Sequence, residues 1–327
     1  MDFELTDVQQ AWRDKGAALG RELADDATAA DVVMGAARVG LMPSTALRPG
    51  DTTDLLAIVV AIEALAGESP AAASALALHT AAALTVGADE RFASLFRGEA
   101  VGALTLATDE VPVQTGETLS GRASWVAPIT DHGVAIIGVR HDDGLVACGV
   151  ALDHPSVQAV SVRTAALRGF VCGHLTLDQT PFTPLGPTLP VMSRARIFMA
   201  AVGLGVGRRA VREALGSARG TSKGAGGEQM MQAAVADAAT ELDAAMLLTW
   251  KAATQELSLA GASMAKLAAT GAAQRAVERA TQVVGAGSVE RGPIIERLAQ
   301  DVRALELFAG RTEALREAVA EAELPTV

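Results

Sequence analysis

The spacing of apolar residues changes twice along this chain, and the changes divide it into three. Up to about residue 99 the apolar positions recur with the period of a helix. Thr6 followed by Gln9 is a capping-box pattern ahead of Val8, Trp12, Ala18 and Leu19, and it predicts a helix over about 5–24. Further helices are predicted over 30–39, 54–66, 71–86 and 89–96, with Gly67-Glu68-Ser69-Pro70 stopping one and starting the next. From Gly98 the texture is different. The runs 101–106, 133–139, 145–152 and 157–162 are short, rich in β-branched or aliphatic residues, and bounded by Gly, Asp, His and Pro. A further strand is expected over 174–177. With no helix between them, these runs predict a small antiparallel barrel or sandwich. From Ser193 onward the period is helical again, over 193–218, 230–259, 262–284, 294–307 and 312–322. Pro293 is expected at the first position of the fourth of these helices and Thr312 at the N-cap of the fifth. The expected fold is α+β: a helical domain over 1–99, a β domain over 100–187 and a helical bundle over 188–327.

Composition narrows the functional classes. Aromatics make up 3% of the 327 residues and tyrosine is absent, so the core must be packed with small and aliphatic side chains. The net charge is −11 and no basic run exceeds Arg208-Arg209, which argues against nucleic acid as a partner. An anionic ligand would need a local basic patch set against this field. The acidic, polar opening MDFELTDVQQ does not read as a secretory leader, and no uninterrupted apolar run approaches the roughly 20 residues of a membrane helix. A cytoplasmic location without membrane contact is therefore expected. Cys148 and Cys172 have no metal-ligand spacing and read as buried small hydrophobes. His79, His132, His141, His154 and His174 are scattered, with no metal or Ser-His-Asp pattern.

The last third carries the most specific signal. In QVVGAGSVERGPIIERLAQDVRALELFAGRTEALR, from Gln282 to Arg316, a Gln-Val-x-Gly-x-Gly turn is followed by Ile-Glu-Arg-x-x-x-Asp and then by an aromatic-x-Gly segment. This stretch resembles the closing sequence of acyl-CoA dehydrogenases. The order helices, small barrel, helix bundle resembles that family too. The resemblance implies an FAD-dependent α,β-dehydrogenation of an acyl thioester carried by coenzyme A or a carrier protein, in a dimer or tetramer.

Residue by residue, the resemblance is uneven. Arg219 and Thr221 resemble the family's Arg-x-Thr-Phe-Gly segment, which reaches the flavin of a neighbouring subunit, although Ser222 replaces the phenylalanine. Gln282, Gly285 and Gly287 fall in the second flavin segment. Thr108 and Trp125 fall where the family holds its own flavin ring, but Ala127 replaces the threonine expected beside that tryptophan. Arg196 matches an arginine that lines the acyl pocket. Leu167-Arg168-Gly169 resembles an architectural segment of the barrel.

One departure matters most. The family's catalytic glutamate falls at Ala309, and the alternate base position at Ala195. Positioning a general base contributes ~10²–10⁴-fold, or about 3–5 kcal/mol of barrier, and a methyl group contributes none of it. Glu306 and Glu313 lie about one helical turn (about 5 Å) to either side, too far to stand in. The flavin segments kept, Arg219, Thr221 and Gln282, are those sent across to a neighbour. Those eroded, around Thr108 and Ala127, hold a subunit's own ring. The expectation is a base-less helper subunit sharing FAD with a homologous catalytic partner, as in fatty acid or steroid side-chain degradation. The alternative is a stand-alone use of the fold, either as a non-redox scaffold or as a flavin-dependent monooxygenase. Gly205-Val206-Gly207-Arg208-Arg209-Ala210 also matches a dinucleotide-binding turn, but its apolar spacing continues as a helix, so close helix packing is expected there.

Overall fold

The computed structural model describes residues 4–43, 54–87, 89–106, 110–141, 144–218, 225–289 and 292–324. Helices come first: α1 (Asp7–Glu22), α2 (Ala29–Val39), α3 (Leu55–Ala66), α4 (Pro70–Val86) and α5 (Ala93–Arg97). The Thr6–Gln9 capping box forms as expected, and a second, Thr28 with Asp31, opens α2. Pro70 begins α4, with Ser69 as its N-cap. Among the described residues eight strands follow: β1 (Val101–Thr105), β2 (Val113–Thr115), β3 (Thr118–Val126), β4 (Gly133–His141), β5 (Gly144–Ala151), β6 (Val157–Val162), β7 (Cys172–Pro181) and β8 (Thr183–Pro187).

The strands form two four-stranded sheets, ordered β1-β4-β5-β8 and β2-β3-β7-β6. Ala103, Ile137, Cys148 and Val150 from the first sheet meet Leu119, Val126, Leu175 and Leu177 from the second in one core. A Leu104–Ala127 bridge joins the two sheets at one side. The pairing is not wholly antiparallel, because β1 runs parallel to β4. The sequence pattern also missed β2, β3 and β8. In β3 the buried residues, Leu119, Ala123, Ser124 and Val126, do not alternate, and the register shifts twice.

The bundle contains α6 (Thr188–Ala218), α7 (Ala225–Thr254), α8 (Leu259–Val284), α9 (Ile294–Leu305) and α10 (Thr312–Glu323). The predicted helix over 230–259 ends at Thr254 instead. Ser258 caps α8 by accepting the Gly261 N–H, and this cap decides the break. Pro293 is the N-cap of α9, not its first turn, and the N-cap of α10 is Arg311, with no side-chain hydrogen bond from Thr312. Helix α6 is long and apolar enough to cross a membrane by length and composition alone. Here it is the central helix, packed on α8, α3, α4 and α7.

The contacts of α6 with α3 on one side and with α7 and α8 on the other explain the Gly-x-Gly pattern. A Cβ on Gly205 would stand 2.3 Å from the Glu63 carbonyl oxygen, and one on Gly207 2.5 Å from Leu242. These glycines let helices touch and are not part of a strand-to-helix turn.

Candidate functional site

The segment Phe308-Ala309-Gly310 follows the C-terminal end of α9, where the bundle meets the β unit. Ala309 is left-handed (φ 58°), as is Gly310 (φ 111°), so the chain reverses sharply between α9 and α10. Three contacts fix this turn. The Phe308 ring packs edge-on against Phe170, with centroids 5.1 Å apart. The Leu167 N–H donates to Asp301 Oδ1 at 2.6 Å, which ties α9 to the same loop of the β unit. The third contact comes from behind, through two buried cations.

Arg196 sits on α6 and is 5% exposed. Its Nε donates to the Ala309 carbonyl at 3.2 Å and its Nη1 to Ser263 Oγ at 2.6 Å. Lys266 is one turn along α8 from Ser263 and is 0% exposed. Its Nζ donates to the Gly310 carbonyl at 2.6 Å and to the Glu306 carbonyl at 3.4 Å. Burial pushes the Arg196 guanidinium down to about 10. Burial, and then the neighbouring positive charge of Arg196, push Lys266 down to about 7, partly opposed by Glu306. Asp301 moves the other way, raised to about 6 by burial against the pull of the Leu167 N–H, Arg297 and Arg168.

The residues singled out from the sequence are distributed as follows. Ala309 is at the turn and half-buried, and Ala195 is fully buried in the core. Glu306 turns its carbonyl to Lys266, and Glu313 is exposed on α10. Arg196 is brought to the turn, but two of its three nitrogens are taken by Ala309 and Ser263. Trp125 is 53% exposed and left-handed (φ 57°), so it is not a core residue. It meets the His174 ring edge-on at 5.4 Å, and His174 Nδ1 is buried there without a hydrogen-bond partner among the described residues. Ala127 faces the core and pairs with Leu104. Gln282 ends α8 on the surface. In the Gly285–Val289 turn after it, a Cβ on Gly285 would meet nothing within 4 Å, while Ser288 is buried. Arg219, Thr221 and Thr108 lie outside the described residues.

Lys266, Ser263 and Phe170 were not anticipated, and Asp301 entered only as the aspartate that closes the Ile-Glu-Arg-x-x-x-Asp motif. Lys266 was the readable one: Ala262, Ser263, Ala269 and Thr270, three and four residues to either side, are all small and all buried.

Comparison with known proteins bears on the fold that carries this turn. Residues 189–324 match the acyl-CoA dehydrogenase C-terminal domain family. No curated protein is similar in sequence. Among solved structures, butyryl-CoA dehydrogenase from Megasphaera elsdenii is 18% identical, with 98% of this chain and 99% of that one aligned at a TM-score of 0.86. Glutaryl-CoA dehydrogenase from Mycobacterium smegmatis in complex with FADH2 is 16% identical, over 98% and 96%, at 0.85. PigA with FAD and proline is 17% identical, over 98% and 99%, at 0.84. The chain thus has the acyl-CoA dehydrogenase fold throughout, and its bundle carries that family's sequence signature.

Proposed function

We propose that this chain is a flavoprotein subunit of the acyl-CoA dehydrogenase type, without a proton-abstracting base, that completes the FAD site of a homologous catalytic partner. The reaction served is the α,β-dehydrogenation of an acyl thioester on coenzyme A or a carrier protein, in the cytoplasm. The observation that carries this reading is Ala309. It occupies the turn between α9 and α10 beside the β unit, and no carboxylate among the described residues forms an ion pair with Arg196 or Lys266 behind it.

Two further observations support a shared cofactor. Gln282, Gly285 and Gly287 present uncovered backbone and an amide side chain to the outside of the chain, which suits a group held mainly by a neighbour. On the chain's own side, Ala127 is buried against β1 and offers no hydroxyl, while Trp125 remains exposed. FAD, when bound, accepts the hydride. The chain's own contribution is to orient through Trp125 and the Gln282 turn, and to hold the 308–310 turn rigid through Arg196 and Lys266.

Co-expression with homologous subunits encoded nearby tests the reading. A flavin spectrum that appears only with a co-purifying partner supports it. A stoichiometric yellow homo-oligomer active on an acyl thioester would refute it. An isolated chain that turns over flavin with oxygen would point to the monooxygenase alternative, and a flavin-free homodimer to a scaffold.

A further inference from the structure

The 308–310 turn gathers positive charge, and among the described residues no carboxylate forms an ion pair with it. Arg196 and Lys266 are both more than nine-tenths buried, and among the described residues their hydrogen bonds go to carbonyls and one hydroxyl, not to a carboxylate. Glu306 acts on Lys266 only at a distance. Two cations held this way retain much of their desolvation cost, because carbonyl dipoles compensate charge less well than an anion does.

The same turn has unused donors. The N–H groups of Phe308, Ala309 and Gly310 make no hydrogen bond with the described residues. A Cβ built on Gly310 would stand 3.3 Å from Arg196 Nη2, 3.6 Å from its Nε and 3.6 Å from Leu315 Cδ2, so the guanidinium edge and a buried leucine close against this face of Gly310. Nη2 has no hydrogen-bond partner among the described residues. Phe308, Ala309 and Gly310 themselves are only half-buried.

We propose that this turn is a carboxylate-binding site. A small carboxylate seated over Gly310 accepts from Arg196 Nη2 and from the turn's N–H groups, and supplies the negative charge that residue 309 does not. A planar carboxylate suits the edge of a guanidinium better than a spherical halide does. The proposal rests on reading position 309 as a vacated acid position, and it does not depend on the helper-subunit role.

The test uses the whole chain with acetate as the probe and chloride at matched ionic strength as the control, at pH 6, where Lys266 is charged. Acetate is expected to raise the melting temperature saturably and chloride is not. In lysine-labelled protein, acetate is expected to raise the Lys266 pKa by about 1 unit. Ala309→Glu carries its own carboxylate, so it is expected to be more stable at pH 6 and to lose the acetate response. Arg196→Met is expected to lose the response too, but it risks misfolding, and Ala309→Glu keeps the test decisive. A Lys266 pKa unmoved by saturating acetate, or an Ala309→Glu protein that responds as the native chain does, overturns the proposal. If co-expression finds no partner, the acetate response should still stand. If a flavin-bearing complex forms and acetate has no effect, only the carboxylate site is lost.

Discussion

Lys266 Nζ and the Gly310 carbonyl oxygen meet at 2.6 Å inside the bundle, and the lysine is wholly shut off from solvent. The contact belongs to a wider pattern. Helices α3 and α4 have no basic residue in their last turns, and α6 supplies the missing cations. Arg209 and Arg212 both donate to the Gly67 carbonyl at the end of α3, and Arg194 donates to the Leu84 carbonyl near the end of α4. Lys266 does the same for α9 through Glu306. Each cation meets the negative end of a helix dipole and its unsatisfied carbonyls. The central helices thereby fasten the N-terminal helices and the candidate site to one frame.

The Lys266 contact makes stability depend on alkaline pH in a defined direction. Its folded value, about 7, lies below the ordinary 10.5. Between those values the unfolded chain binds more protons, so stability rises as pH climbs from 7 toward 10.5. Lys266→Met should remove that rise. It also leaves the Gly310 and Glu306 carbonyls without their donor, at a cost of about 1–3 kcal/mol. Urea unfolding of both proteins across this range decides the matter. Equal pH slopes would mean that the ammonium is not held out of water.

Two glycines on α6 should respond oppositely to the same change. Gly205→Ala forces a methyl to within 2.3 Å of the Glu63 carbonyl and 2.5 Å of Ala66, which pushes α6 away from α3. Overpacking of this kind costs about 1–3 kcal/mol or more. Gly216→Ala meets nothing within 4 Å and should stabilise by up to about 1 kcal/mol through helix propensity. A melting temperature lowered by the first and raised by the second is the expected pair.

These cases also show what the sequence could convey. Capping chemistry and helical period are local, so α1 to α4 and the order of the three parts were readable from Thr6, Ser69 and Pro70. The missed strand β3 carries exposed Gly121 and Arg122 in its middle and buries no alternating set of residues, so its identity comes from pairing with β7. The site divided in the same way. Ala309 was found because a short motif surrounds it. Phe170 and Lys266 are far from it in sequence, and only the packing of α8 and the β unit brings them to the turn.

At acid pH two buried groups pull against each other. His79 is fully buried and its Nδ1 accepts the Gly102 N–H, with burial lowering it from 6.5 to about 4. The unfolded chain therefore takes up a proton first, and stability falls as pH drops from 6.5 toward 4. Asp301, raised from 3.8 to about 6, keeps its proton longer in the folded state, so its effect is to raise stability as pH drops from 6 toward 3.8. The two contributions largely offset each other, each being about 3 kcal/mol in size. Asp301→Asn keeps an acceptor for the Leu167 N–H and removes only the titration. That variant should lose stability steeply between pH 6 and 4, where the native chain changes little. Identical profiles for the two would show that Asp301 is ionised as usual.

Trp125 offers a direct report on the face where a shared cofactor is proposed to lie. It is half-exposed, whereas Trp12 and Trp250 are partly buried against the main core. Trp125→Phe should therefore alter stability by less than about 0.5 kcal/mol. A left-handed backbone and an exposed ring add little to folding. They do aim a flat apolar surface outward beside the unpartnered nitrogen of His174. If a flavin lies against this face in the complex, partner binding should quench the Trp125 emission. Trp125→Phe should lose that component and weaken the complex without changing the melting temperature of the free chain. A complex that forms with full affinity and unchanged Trp125 emission would place the cofactor elsewhere, and would leave the exposed tryptophan without a part in it.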